Sequence, residues 1–146
     1  MSWLYEREEF TNNMIPEGAH GFVYGMSVLI DGETKLYIGK KNFYANRNVK
    51  LGKKALDART DKRASKKKLV RKLSYQNYFS SNETLKQAKK DGLDIRRVIM
   101  KICYSKMELT YEEVACMFKL DVLDNTQYLN TNILGKFYRG KIRKNE

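Results

Sequence analysis

The sequence predicts a small α+β fold, a three-stranded antiparallel sheet flanked by helices, within one domain spanning 1–146. Three observations carry this. Gly21-Phe22-Val23-Tyr24 and Tyr37-Ile38-Gly39 lie in strand-like runs joined by Asp31-Gly32, a strong hairpin-turn signal. An Ile- and Val-rich run over 94–104 supplies a third strand. Helical periodicity begins at two Ser…Glu pairs of capping-box form, Ser80 with Glu83 and Ser105 with Glu108.

The elements follow in order. Residues 1–19 read as an arm, because Asn12, Asn13, Pro16 and Gly18 break any periodicity. The first strand covers about 20–30 and the second 34–39, which brings Tyr24 and Tyr37 side by side. Residues 40–58 read as an irregular basic loop. A basic helix follows over 60–73, with Thr60 at its N-cap and Ala64, Leu69, Val70 and Leu73 as apolar positions. The Ser80 box starts a short helix that ends at Asp91-Gly92. After the third strand, the Ser105 box opens a helix bearing Leu109, Tyr111, Val114, Cys116, Met117, Phe118, Leu120 and Val122. A short helical stretch over 130–137 and a basic, fraying tail over 139–146 complete the chain.

Composition narrows the class. A chain of 146 residues buries roughly 68–70% of its unfolded surface, enough for one core. Its 42% hydrophobic and 32% charged residues suit a soluble globular protein. No apolar run approaches the roughly 18 residues of a membrane span. Glu6, Glu8 and Glu9 are wrong for a signal peptide, so a cytoplasmic protein is expected. Cys103 and Cys116 read as reduced, buried thiols, and one His with two Cys excludes the usual zinc sites.

The net charge of +12 is confined to one region. Residues 40–72 hold 14 Lys and Arg against two acids, Asp57 and Asp61, an excess equal to that of the whole chain. Beyond Lys40 and Arg47 these cations are Lys41, Lys50, Lys53, Lys54, Arg59, Lys62, Arg63, Lys66, Lys67, Lys68, Arg71 and Lys72. Phe43, Tyr44, Tyr75, Tyr78 and Phe79 flank the run. Charge plus stacking surface suits a nucleic-acid partner.

Glu113 stands out on the last long helix. Leu109, Cys116, Met117 and Leu120 occupy its i−4, i+3, i+4 and i+7 neighbours, so the carboxylate interrupts an apolar stripe. Glu112 instead shares a solvated face with Glu108 and Lys119. On the residues alone two readings stand: an ion pair with Arg96 or Arg97, or a metal-binding carboxylate. The basic region favours the second.

These strings resemble the GIY-YIG nuclease module, with Phe-Val-Tyr standing where Gly-Ile-Tyr is usual. Tyr75-Gln76-Asn77-Tyr78-Phe79-Ser80-Ser81, Glu112-Glu113…Phe118…Asp121-Val122-Leu123 and Asn130-Thr131-Asn132-Ile133 are similar to segments of small phage-encoded members. The order of elements agrees with that module. The resemblance implies a phage-encoded, Mg²⁺- or Mn²⁺-dependent DNA endonuclease, whose products carry 5′-phosphate and 3′-hydroxyl ends. It implies that Tyr24 activates the attacking water, Tyr37 orients it, Glu113 holds the metal and Asn130 supports the site. A helix-capping role explains Asn130 equally well. Arg47, eight residues after Gly39, resembles the family's catalytic Arg, with Arg63 and Arg71 as competitors. Lys40 is placed to neutralise the same phosphate. Cutting both strands needs a homo-oligomer or two sequential nicks. The rival reading is a non-catalytic DNA or RNA binder using the same basic surface.

Overall fold

The computed structural model describes residues 2–50, 52–53 and 67–143, without the side chains of 47–50 and 67–70. The fold is α+β, as the sequence predicts, but its sheet is larger and mixed. Strands β1 (Trp3–Tyr5), β2 (Glu8–Glu9), β3 (Gly21–Ile30), β4 (Glu33–Asn42) and β7 (Ile95–Cys103) form five strands in the order β2-β1-β7-β3-β4. Within the sheet β3 pairs antiparallel with β4 and with β7, but the expected sheet of three antiparallel strands is not what forms. The supposed N-terminal arm adds two strands, with β1 parallel to β7 and β2 antiparallel to β1.

Trp3 explains why the arm folds. It is 2% exposed and packs edge-on against Phe22 at 4.9 Å and Tyr24 at 5.5 Å. Its indole N–H donates to the Tyr75 carbonyl at 2.9 Å. An indole of this size, with its one polar atom satisfied, anchors a strand too short to show periodicity.

Strand alternation divides the core by face. Phe22, Tyr24, Met26 and Val28 point to one side, with Trp3, Phe43, Tyr75 and the helix α1 (Glu83–Lys90). Val23 and Ile38 point to the other, against Leu109 and Met117 of α2 (Lys106–Lys119). A Cβ at Gly21 would lie 2.8 Å from Leu109 Cδ2, so the bare backbone there lets α2 close on the sheet. Cys103 is buried in this second layer, and burial pushes its thiol up to about 11. Cys116 is half-buried, and both thiols are free.

Four local expectations are corrected. The basic loop and the 60–73 helix give way, where described, to a two-stranded ribbon of β5 (Tyr44–Lys50) and β6 (Lys67–Leu73). A helix there would stack Lys67 with Arg71 and Lys68 with Lys72 at i,i+4, like-charge pairs that oppose helix formation. Arg59, Lys62, Arg63, Lys66 and Lys54 lie outside the described residues. The N-cap of α1 is Asn82 rather than Ser80: Asn82 Oδ1 accepts from the Thr84 and Leu85 amides at 3.0 and 3.2 Å. The expected helix over 130–137 is a small hairpin of β8 (Asn132–Ile133) and β9 (Phe137–Tyr138), turned by Leu134 and Gly135 in the left-handed region. Arg139 does not fray. Its guanidinium donates to the carbonyls of Val122, Leu123, Asn125, Tyr128 and Asn130.

Because Trp3 joins the arm to both the sheet and the 75–79 loop, Trp3→Ala is expected to cost about 3–5 kcal/mol. Urea denaturation of the two proteins measures the difference.

Candidate active site

The site is built on β4, the edge strand, and begins with Gly39. In the β3–β4 register Tyr24 faces Gly39 and Met26 faces Tyr37, so both tyrosines project from the same face. The Tyr24 ring lies across Gly39: a Cβ there would sit 2.5 Å from both Cζ and the hydroxyl oxygen of Tyr24. That passage brings the rings of Tyr24 and Tyr37 to 6.3 Å at a 37° tilt. A β-bulge beside them, where the β3–β7 register shifts between Val23 and Tyr24, adds twist at this point.

The loop before α1 supplies a third phenol. Tyr78 meets Tyr24 edge-on at 5.8 Å, and the two hydroxyls are 3.5 Å apart. Arg97 holds this loop in place. Its guanidinium lies over Trp3 and Phe79 at 4.7 and 4.0 Å and donates to the carbonyls of Gln76 and Tyr78, both at 2.9 Å. Arg97, one of the two arginines offered as an alternative ion-pair partner for Glu113, instead makes cation–π and carbonyl contacts on the α1 side of the sheet. Ser80 turns the loop with φ +75°. It is buried, and its hydroxyl oxygen accepts from the Asn82 amide at 3.1 Å.

Cations reach the site from both faces of β4. Lys41 Nζ lies 4.7 Å over the Tyr78 ring, and burial lowers its pKa. Lys40, on the opposite face, donates to Thr110 Oγ1 at 2.8 Å, so the strand is tied to α2 one turn before Glu113. Glu113 is half-buried, and so is its neighbour Glu112, expected in solvent, because it folds onto exposed Lys101 at 3.1 Å. Desolvation raises the Glu113 pKa, and the Lys40 charge opposes that rise.

The electrostatics distinguish the two motif tyrosines. Tyr24 is 1% exposed, and burial drives its phenol far above the ordinary range, with Tyr78 adding to the shift. Tyr37 is half-buried. Burial, Tyr78 and the Glu113 carboxylate all raise its pKa. Both are therefore neutral phenols at neutral pH, and Tyr37 is the more accessible.

Asn130 closes the free edge of β4. Its Oδ1 accepts from the Ile38 amide at 3.1 Å, and its Nδ2 donates to the Ile38 carbonyl at 2.9 Å. The side chain thus pairs with the strand as another strand's backbone would, and it caps no helix. Leu36 exchanges backbone bonds with Gln127 and Leu129 alongside.

The structure sets Tyr24 and Tyr37 on one face of the β3–β4 pair, Lys40 on the other face against α2 and Asn130 on the free edge at Ile38, with Glu113 one turn beyond Thr110. Arg47 sits opposite Val70 on the ribbon, and its side chain lies outside the description. Arg71 stacks on Tyr44 at 3.8 Å. Tyr78, Ser80, Arg97 and Thr110 are the residues that sequence reasoning did not place in the site. Tyr78 carried a signal as one of the aromatics flanking the basic run, whereas the sequence marks Ser80 only as a capping residue and Arg97 only as an ion-pair candidate for Glu113.

Fold and site together define a class: an α+β domain with paired hairpin tyrosines on an edge strand and a half-buried carboxylate on the helix packed beside it. The family model described as "Putative endonuclease segE, GIY-YIG domain" matches residues 3–133. The chain belongs to this GIY-YIG endonuclease family. No curated protein and no solved structure matches it.

Two outcomes test the geometry. Gly39→Ala is expected to cost about 1–3 kcal/mol, since the sealed Tyr24 ring has nowhere to move; urea denaturation reads it. For Glu113 the folded pKa is raised, so its ionisation opposes folding as pH rises past the unfolded value of about 4.3. Glu113→Gln should therefore raise Tm at pH 7, and the gain should disappear in acid.

Proposed function

We propose that the protein is a metal-dependent endonuclease that hydrolyses phosphodiester bonds in DNA. The observation that carries this reading is the meeting, along residues 37–41 of one edge strand, of phenols, two ammonium groups and a half-buried carboxylate. Family membership supports nuclease chemistry, and the local +12 excess supports a polyanionic substrate.

The site's donor set fits a hard cation. One desolvated carboxylate with hydroxyl oxygens nearby suits Mg²⁺ or Mn²⁺, which bind few protein ligands and keep their waters. Among the described residues there is no cluster of three His, Cys, Asp or Glu, so Glu113 is the residue that would hold the ion. Bound there, the ion would lower the pKa of a coordinated water and offset charge on the scissile phosphate.

The chain's own groups do the rest. Tyr37, the accessible phenol, orients the attacking water. Tyr24, sealed and neutral, fixes Tyr37 through their ring contact. This reverses the order of importance that the sequence reading gave the two tyrosines. Lys40 and Lys41 offset phosphate charge, and an arginine of the basic run, Arg47 first among Arg47, Arg63 and Arg71, clamps the phosphate. Asn130 keeps the Ile38 peptide rigid beneath them. Water oxygen bonds to phosphorus as the bond from phosphorus to the 3′ oxygen breaks, and the proton the water loses is balanced by the one the departing 3′ oxygen gains, giving 5′-phosphate and 3′-hydroxyl ends. A phage origin and action in the host cytoplasm belong to this reading. No helix among the described residues is long and apolar enough to cross a membrane.

The experiment is a supercoiled-plasmid nicking assay with Mg²⁺ or Mn²⁺ and with EDTA. Wild type should nick only with metal, and Glu113→Ala should lose roughly a hundredfold or more in rate while still binding DNA. Equal nicking by both proteins, or none by wild type with either metal, would leave the non-catalytic binder as the better reading. Substituting Arg47, Arg63 and Arg71 singly identifies the clamp.

A further inference from the structure

The β5–β6 ribbon has a shape as well as a charge. Among the described residues its strands pair only with each other. Seven residues at about 3.4 Å each make it roughly 24 Å long. The base is rigid: Phe43 is fully buried and stacked on Phe10 at 5.9 Å. The Ser74 amide donates to the Phe43 carbonyl at 3.0 Å. One residue separates this ribbon from Asn42, the end of the strand that carries Tyr37, Lys40 and Lys41. The ribbon therefore springs from the wall of the site.

Its two strands hold Arg47, Lys50, Lys67, Lys68, Arg71 and Lys72 and no acid. The register sets Lys50 directly opposite Lys67, a like-charge pairing that weakens a ribbon. A two-stranded hairpin without a third partner is already marginal in water. A polyanion seated against it would relieve the repulsion and supply the missing partner. Asn46 and Arg71, exposed and opposite one another, are side chains that read adenine and guanine edges. A groove about 12 Å wide admits a two-stranded ribbon, whereas one about 6 Å wide does not.

We infer that the β5–β6 ribbon docks in the major groove of duplex DNA, with the Asn46–Arg71 pair at base edges and the flanking cations at phosphates. This rests on DNA as the substrate but not on cleavage. Duplex seated there runs past the base of the ribbon onto residues 37–41.

Glu113→Gln protein serves as the binder, with a short mixed-sequence duplex and its separated strand as probes. Affinity is read by anisotropy from about 50 to 200 mM salt, and groove contact by methylation protection. The duplex should bind at least about tenfold tighter than the strand, with guanine N7 protected. Lys50→Ser/Lys67→Ser/Lys68→Ser/Lys72→Ser should flatten the slope of log affinity against log salt by about 3 to 4. Asn46→Ala/Arg71→Ala should remove the N7 protection while changing that slope by about 1 or less. Thermal melts confirm that each variant is folded, and either variant alone decides. Unprotected N7, protection of adenine N3 only, or equal affinity for strand and duplex overturns the inference. Wild type that protects N7 without nicking would reject cleavage alone. Nicking with N7 unprotected would reject the ribbon alone.

Discussion

The ring of Tyr24 lying across the backbone of Gly39 sets the geometry of everything around it. A phenol can occupy that line only because position 39 has no side chain. From there it meets Tyr37 along β4, Tyr78 from the loop and Trp3 from the N-terminal strand. Three segments distant in sequence are thus registered against one ring. The same crowding removes water from that ring, so Tyr24 is held as a neutral, oriented group.

An edge strand allows a site to draw on both faces of a sheet. Tyr37 and Lys41 project toward the α1 layer, and Lys40 reaches Thr110 on α2. At a central strand the sheet itself would separate these groups. An exposed edge carries unpaired backbone groups that invite mispairing. Here the amide of Asn130 satisfies Ile38 on both polar atoms, and Arg139 gathers the carbonyls of the segment that presents Asn130. The support behind the site is therefore polar and directional, while its front is aromatic.

Where the chain carried local, periodic information, the sequence was legible. The Asp31-Gly32 hairpin, the 95–103 strand and the Ser105-capped helix were each readable from a turn signal, alternation or a cap. Glu113 could be singled out because a carboxylate breaks an apolar stripe, whatever the fold. The misses have a common physical origin. Strand β1 is three residues long and is fixed by tertiary burial of Trp3, which no window reveals. Strand β6 has residues that suit a helix singly, but their charges conflict at helical spacing. Arg97 and Ser80 owe their positions to contacts made by the folded loop, and Ser80 adopts a backbone conformation that its residue type does not advertise. Asn130 looked equally like a helix cap because both roles use the same amide, and only the partner distinguishes them.

The indole proton of Trp3 finds its acceptor 72 residues further along the chain, and strand β1 must await β7, which lies later still. Closing so long a loop costs entropy before any contact repays it. During synthesis the first strand emerges from the ribosome long before its partners exist. The aromatic cluster that seats Tyr24 and Tyr78 is therefore assembled only after most of the polypeptide is available. A chain cut short before Cys103 would display its basic run but lack the sheet that orients the phenols.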